Sequence, residues 1–142
     1  MNIDDQDRIL VAEYRGNKIA MFDPATEKFT EWPLPLHTWP YRATVDNNGE
    51  IWTGGMHADR AVRLNPKTGE TVEYQLPKET NMRTVFVDNS TTPVTFWTGS
   101  NHVAALVKVE PLVKKLSARP PHRPGAAAGA HFCEAEDQVL GP

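Results

Sequence analysis

The chain has almost no cysteine, no long apolar run and no excess of basic charge. One cysteine, Cys133, among 142 residues leaves no internal disulfide and no cysteine-based zinc site. No apolar stretch approaches the roughly 20 residues that span a bilayer. The opening MNIDDQDRIL is acidic, unlike the basic start and apolar stretch of a secretory signal peptide. Cytoplasm is therefore the default compartment. Fifteen Lys and Arg against eighteen Asp and Glu give a net charge of −3. Neither nucleic acid nor an anionic membrane finds a basic surface here, so neither is expected as a partner. Room for long helices is missing too, because twelve prolines and nine glycines break the chain every few residues.

What fills the gaps is short runs of Val, Ile, Thr, Trp, Tyr and Phe, a β signature. The runs repeat. RILVAEYRGNKIAMFDP, from Arg8, and EIWTGGMHADRAVRLNP, from Glu50, follow one plan at an offset of 42. Asn17-Lys18 aligns with Asp59-Arg60, and Phe22-Asp23-Pro24 with Leu64-Asn65-Pro66. Further on, Glu31-Trp32-Pro33-Leu34-Pro35 aligns with Glu73-Tyr74-Gln75-Leu76-Pro77. A third, partial copy follows at an offset of 45: Trp97-Thr98-Gly99 repeats Trp52-Thr53-Gly54, and His102 falls on His57. The extra residues fit in Ser90-Thr91-Thr92-Pro93, a turn-rich stretch where insertion costs little.

Each unit divides into four strands, expected in the middle copy over residues 42–46, 50–54, 60–64 and 70–76. Asp46-Asn47-Asn48-Gly49 and Asn65-Pro66-Lys67-Thr68-Gly69 have turn composition. Asp46 and Asp88 read as turn-forming residues, not cation ligands. Trp52 and Trp97 are expected to pack between units, and Trp32 and Tyr74 to cap outer strands. Four strands in about 42 residues is the mark of a β-propeller blade. The fold class is all-β: an incomplete β-propeller of about two and a half four-stranded antiparallel blades. Residues 1–7 form an N-terminal extension and 8–111 the partial propeller, divided at 8–39, 40–77 and 78–111. Residues 112–142, proline-rich with an Ala/Gly tract, form a disordered tail. A propeller closes with at least four blades. The chain therefore associates with itself through open blade edges or is a piece of a longer gene product. Its start inside a blade favours the second.

The phrases AEYRGNKIA, FDPAT and FTEWPLP resemble the streptogramin B lyase (virginiamycin B lyase) family across residues 8–111. The resemblance implies a seven-bladed ring that linearises cyclic depsipeptide antibiotics by elimination at the ester bond, with Mg²⁺ as cofactor. In the family a His opening an inner strand acts with a Glu ending the next strand, fourteen residues on. Glu13 falls on that Glu, as catalytic and metal-facing carboxylate. Tyr41 takes the position of the His in the next blade, and Gly55 that of the Glu. Arg83 and Ser100 take them in the third. The chain alone is therefore expected to be inactive. His57 and His102, in equivalent loops after the Trp-Thr-Gly strands, are candidate substrate-binding residues. So are Tyr41 and Arg42, at a strand start, with Arg42 suited to a substrate carbonyl or carboxylate. The expected partner is a small cyclic depsipeptide or other small molecule. The alternative is a non-catalytic propeller that binds or scaffolds.

Overall fold

The computed structural model describes residues 1–77 and 80–112. Every regular element among them is a β-strand, and the strands form three antiparallel sheets, one per repeat. The first sheet holds β1 (Asn2–Ile3), β2 (Ile9–Glu13), β3 (Lys18–Asp23) and β4 (Lys28–Pro33). The second holds β5 (Pro40–Val45), β6 (Ile51–Gly55), β7 (Arg60–Leu64) and β8 (Thr71–Gln75). The third holds β9 (Met82–Asp88), β10 (Thr95–Ser100) and β11 (Leu106–Val109). The sheets are open blades of a propeller. Among the described residues no helix is long and apolar enough to cross a membrane.

The middle blade matches its expected strands within two residues. The first blade differs. Residues 1–7, an extension in the sequence reading, supply an innermost strand: Asn2 pairs with Leu10 and Ile3 with Ile9. Asp4 makes the turn, its Oδ1 accepting from the amides of Gln6 (2.9 Å) and Arg8 (3.0 Å). Two residues carry too little apolar alternation to read as a strand, so the pairing is legible only once β2 is in place. The expected tail lies, beyond Leu112, outside the described residues, as does Cys133.

The turns form as their composition requires. Asp46 Oδ1 accepts from the amides of Asn48 and Glu50, both at 2.9 Å, and Gly49 takes φ +78°. Asn65, Asp23 and Asp88 accept from the amide two residues on, each at 2.9 Å.

Strand alternation gives each blade a leading face toward the preceding blade and a trailing face toward the next. Leu10, Ile19, Met21 and Leu34 on the first trailing face meet Ala43, Ile51, Val62 and Leu64 on the second leading face. Trp52, Ala61 and Leu76 on the second trailing face meet Val85, Val87, Phe96 and Val109 on the third leading face. These two clusters are the core. Both faces of β6 are covered, so all of Ile51–Gly55 is buried. The Trp52 ring lies between Tyr74 and Phe96, 5.5 Å from each and near-parallel to both. That bears out Trp52 as an interblade residue. It also corrects the role of Tyr74 and Trp32, which join the interblade clusters instead of capping outer strands. Trp32 Nε1 even donates across to the Pro66 carbonyl at 3.2 Å. Their rings lie on the trailing face, where the next blade's apolar surface attracts them more than water does.

Candidate functional site

Three loops meet at one end of the first two blades: 14–17 after β2, 34–39 before β5, and 56–59 after β6. Asn17 ties them together. It takes φ +53°, a conformation Asn tolerates better than most residues. Its Nδ2 donates to the carbonyls of Leu34 and Pro35, both at 3.0 Å. Its Oδ1 accepts from the Trp39 amide at 2.9 Å. The Met56 amide then donates to the Trp39 carbonyl at 3.1 Å. Asp59 repeats this one blade on, with φ +38° and Oδ1 accepting from the Thr80 amide at 2.9 Å. The alignment of Asn17 with Asp59 is thus a structural equivalence with a hydrogen-bonding cause.

The fixed loops carry a line of rings. Tyr14 meets His57 edge-on at 6.1 Å, and His57 meets Trp39 edge-on at 5.9 Å. Trp39 lies 5.1 Å from His37. By the 42-residue offset and its φ of +43°, against +47° at Trp39, Asn81 takes the place of Trp39 in the third blade, although Asp59 accepts one residue earlier, from Thr80; Asn81 Nδ2 lies 3.0 Å from His102 Nε2. His57 and His102 therefore share a structural position but not an environment: one is among rings, the other against an amide.

Glu13 ends β2, half-buried, opposite Lys18. It shares the leading face with Ile9 and Val11, while Leu10 and Ala12 face the second blade. Gly16 leaves room for its carboxylate, since a Cβ there would lie 2.8 Å from Oε2. Lys18 donates to Glu31 Oε2 at 2.9 Å. The hydrogen bond to Glu31, then the charges of Glu31 and Glu13, hold the ammonium above its ordinary range. Lys18 in turn holds Glu31 below the usual carboxylate range. Tyr41 and Arg42 sit exposed at the start of β5, where the pairing with β6 shifts register. Thr53 Oγ1 donates to the Arg42 carbonyl at 2.8 Å, and Thr98 Oγ1 to the equivalent Thr84 carbonyl at 2.7 Å.

The structure thus gathers His57 with Tyr14, the neighbour of Glu13, and leaves Tyr41 and Arg42 on the inner strand and His102 one blade along. Tyr14, His37 and Trp39 were missed as site residues. The signal available was an aromatic or imidazole ring in each of three loops that the repeat assigns to one rim. Another hollow opens between the first two blades at the opposite end, beside Asp4, Asp23 and Asp46. Its carboxylates are engaged by Arg8, Thr26 and the Trp52 indole.

The donor set around Glu13 does not fit a resident Mg²⁺. Among the described residues no three His, Cys, Asp or Glu side chains converge: Glu13 meets one further carboxylate, Glu31, and the Lys18 ammonium lies against both.

An open propeller with a ring-lined rim defines a class of protein, and comparison narrows it. No family model and no curated protein sequence matches the chain. Solved structures do. A streptogramin B lyase structure is 25% identical over 75% of this chain and 38% of its own, with a TM-score of 0.62. Virginiamycin B lyase from Staphylococcus aureus is 19% identical over 77% of this chain and 39% of its own, with a TM-score of 0.61. A catalytically inactive variant of the Staphylococcus aureus enzyme, with quinupristin, is 22% identical over 75% and 39%, with a TM-score of 0.61. These likenesses show that the three sheets share the propeller fold of these lyases. The chain spans 38–39% of the length of these lyases.

Proposed function

We propose that the chain forms three blades of a streptogramin B lyase-like propeller whose rim takes up a small cyclic depsipeptide, or another small molecule bearing a ring, without opening it. The line Tyr14–His57–Trp39–His37 carries this reading. Four rings in sequence, held by loops tied to Asn17, offer edges and faces to an apolar or aromatic ligand. Elimination at an ester breaks the alkyl C–O bond, so it needs a base for the proton on the carbon next to that bond and help for the carboxylate that leaves. Glu13 offers one half of such a pair, and it shares Lys18 with Glu31. Lyase activity, Mg²⁺ and antibiotic inactivation belong to this proposal only for a ring in which another blade faces Glu13. The end position of Glu13 on β2 favours that second, catalytic reading.

Titration with a type B streptogramin, followed by tryptophan fluorescence, tests the binding. Saturable quenching is expected, weakened about tenfold by Trp39→Leu. No saturable change overturns the proposal. Chromatography of the ligand after incubation with the chain and Mg²⁺ tests the chemistry, because linearisation by elimination leaves the mass unchanged. A single unaltered peak is expected. A new linear product, lost in Glu13→Gln, would replace the binding reading with the catalytic one.

A further inference from the structure

The two end faces of the blade array are exposed, apolar and complementary by the protein's own rules. On the first blade's leading face Ile3 is 61% and Phe29 57% exposed, beside half-buried Ile9, Val11 and Phe22. On the third blade's trailing face Leu106 is 71% and Phe86 64% exposed, beside half-buried Trp97.

Register shows what such faces pack against. Leu10, Trp52 and Trp97 occupy one position in the three trailing faces; Ile9, Ile51 and Phe96 occupy one position in the three leading faces. Leu10 is buried in the cluster that holds Ile51, and Trp52 stacks on Phe96 at 5.5 Å. Among the described residues, Trp97 and Ile9 are the two without such a counterpart. Their surroundings are alike as well. Arg63 lies over the Trp52 ring at 5.6 Å, and Lys108 over the Trp97 ring at 5.3 Å. The surface that fits the third trailing face is therefore a leading face, and this chain presents one.

We propose that two copies of this chain associate head to tail, the third blade of each against the first blade of the other, closing a ring of six sheets. Trp97 of one copy packs on Ile9 of the other, as Trp52 packs on Phe96 within the chain. The contact is heterologous. Contacts of that kind close into a ring or run on as a filament, depending on the rotation per contact. Three sheets per copy, made twice, fall within the four to eight blades that propellers use. Apolar faces of this kind, left bare, favour association.

Light scattering on the purified full chain tests the state, and face-specific variants test the contact. A mass of two chains is expected. A mass of one chain overturns the proposal, as does any larger assembly. Leu106→Arg and Phe29→Asp alter opposite faces at exposed positions, and circular dichroism checks that each variant keeps its β content. Either alone is expected to reduce the mass to one chain. Mixing the two variants leaves one of the two contacts unaltered and is expected to recover pairs. Full pairing by either variant alone, or no pairs on mixing, overturns the head-to-tail arrangement.

Discussion

The indole N–H of Trp52 donates to Asp46 Oδ2 at 2.9 Å, which joins the turn of the second blade to its buried interface with the third. The same carboxylate accepts from the amides of Asn48 and Glu50, so one side chain both forms the turn and satisfies the indole of a fully buried Trp52. Asp46→Ala removes three bonds, one of them inside the core. It is expected to cost about 3 kcal/mol in urea unfolding, since a buried donor left unpaired loses its full desolvation penalty. Trp52→Phe is expected to cost about 1–2 kcal/mol, mostly through lost area. In a double-mutant cycle the pair should show a coupling of about 1 kcal/mol. Additive costs would mean that the indole bond contributes nothing.

Stability should fall on the acid side as identified carboxylates are protonated. Burial pushes Asp4 up, but its hydrogen bonds with Arg8 and with the amides of Arg8 and Gln6 outweigh this, and its net position is below the ordinary 3.8. Asp23 is lowered by the Thr26 hydroxyl and the Ala25 amide, and Asp88 by the Ser90 hydroxyl and amide. Glu31 is lowered from 4.5 by Lys18. For depressed carboxylates the stabilisation is complete above the unfolded values of 3.8 and 4.5 and is lost as pH falls through the lower folded values. Lys18 runs the other way: raised above 10.5, it stabilises below that pH and ceases to as pH rises through its folded value. The melting temperature is thus expected to hold between about pH 5 and 10 and to drop below pH 4. Asp4→Asn should lower it at pH 7 and flatten the acid slope. An unchanged acid slope would show that Asp4 takes no part.

Asn17 should matter more than its half-exposed loop position suggests. Asn17→Ala deletes three hydrogen bonds and leaves an alanine at φ +53°. The expected cost is about 2–4 kcal/mol. Asn17→Gly tolerates the backbone but not the bonds and should cost about 1 kcal/mol less. Asn17→Asp keeps the acceptor for the Trp39 amide, as Asp59 does for Thr80, and should be the mildest of the three. Both non-acidic variants release the Trp39 loop, measurable as lower tryptophan anisotropy. Equal cost for Ala and Gly would mean that backbone conformation is unimportant at this position.

Architecture was legible in the sequence because it is written three times. Asp46-Asn47-Asn48-Gly49, Trp52-Thr53-Gly54 and their copies specify turn, strand and blade interface in local chemistry, and local chemistry survives without knowledge of the rest. The rim was less legible. Glu13, His57 and His102 could be placed at strand ends, but Tyr14, His37 and Trp39 come together through the bonds of Asn17 across 17 to 22 residues. Nothing local marks such a side chain as the tie. Tyr74 was misread for a related reason: outer-strand alternation says which face a ring occupies, but not that the next blade covers that face.

Gly54 and Gly99 occupy one position in successive blades, and among the described residues only the first is covered. A Cβ built at Gly54 would lie 2.7 Å from Met82 Cβ and 2.9 Å from its Sδ, closer than real atoms approach. A Cβ built at Gly99 would meet no described residue within 4 Å beyond its chain neighbours. The second and third blades approach so closely because Gly54 has no side chain, and Met82, fully buried, fills the space. Gly54→Ala must push the blades apart or turn Met82 out of its rotamer, an overpacking expected to cost about 1–3 kcal/mol. Gly99→Ala should be neutral or slightly favourable in the unpaired chain, because alanine restricts the unfolded state more than glycine does. Met82→Ala alone opens a void, with an expected cost of about 2–5 kcal/mol. Combined with Gly54→Ala it should cost less than the sum, since the new methyl occupies part of the space the methionine leaves. Denaturant midpoints for the four variants, measured at a dilution where single chains prevail, check the series. Strict additivity between positions 54 and 82 would show that they do not meet.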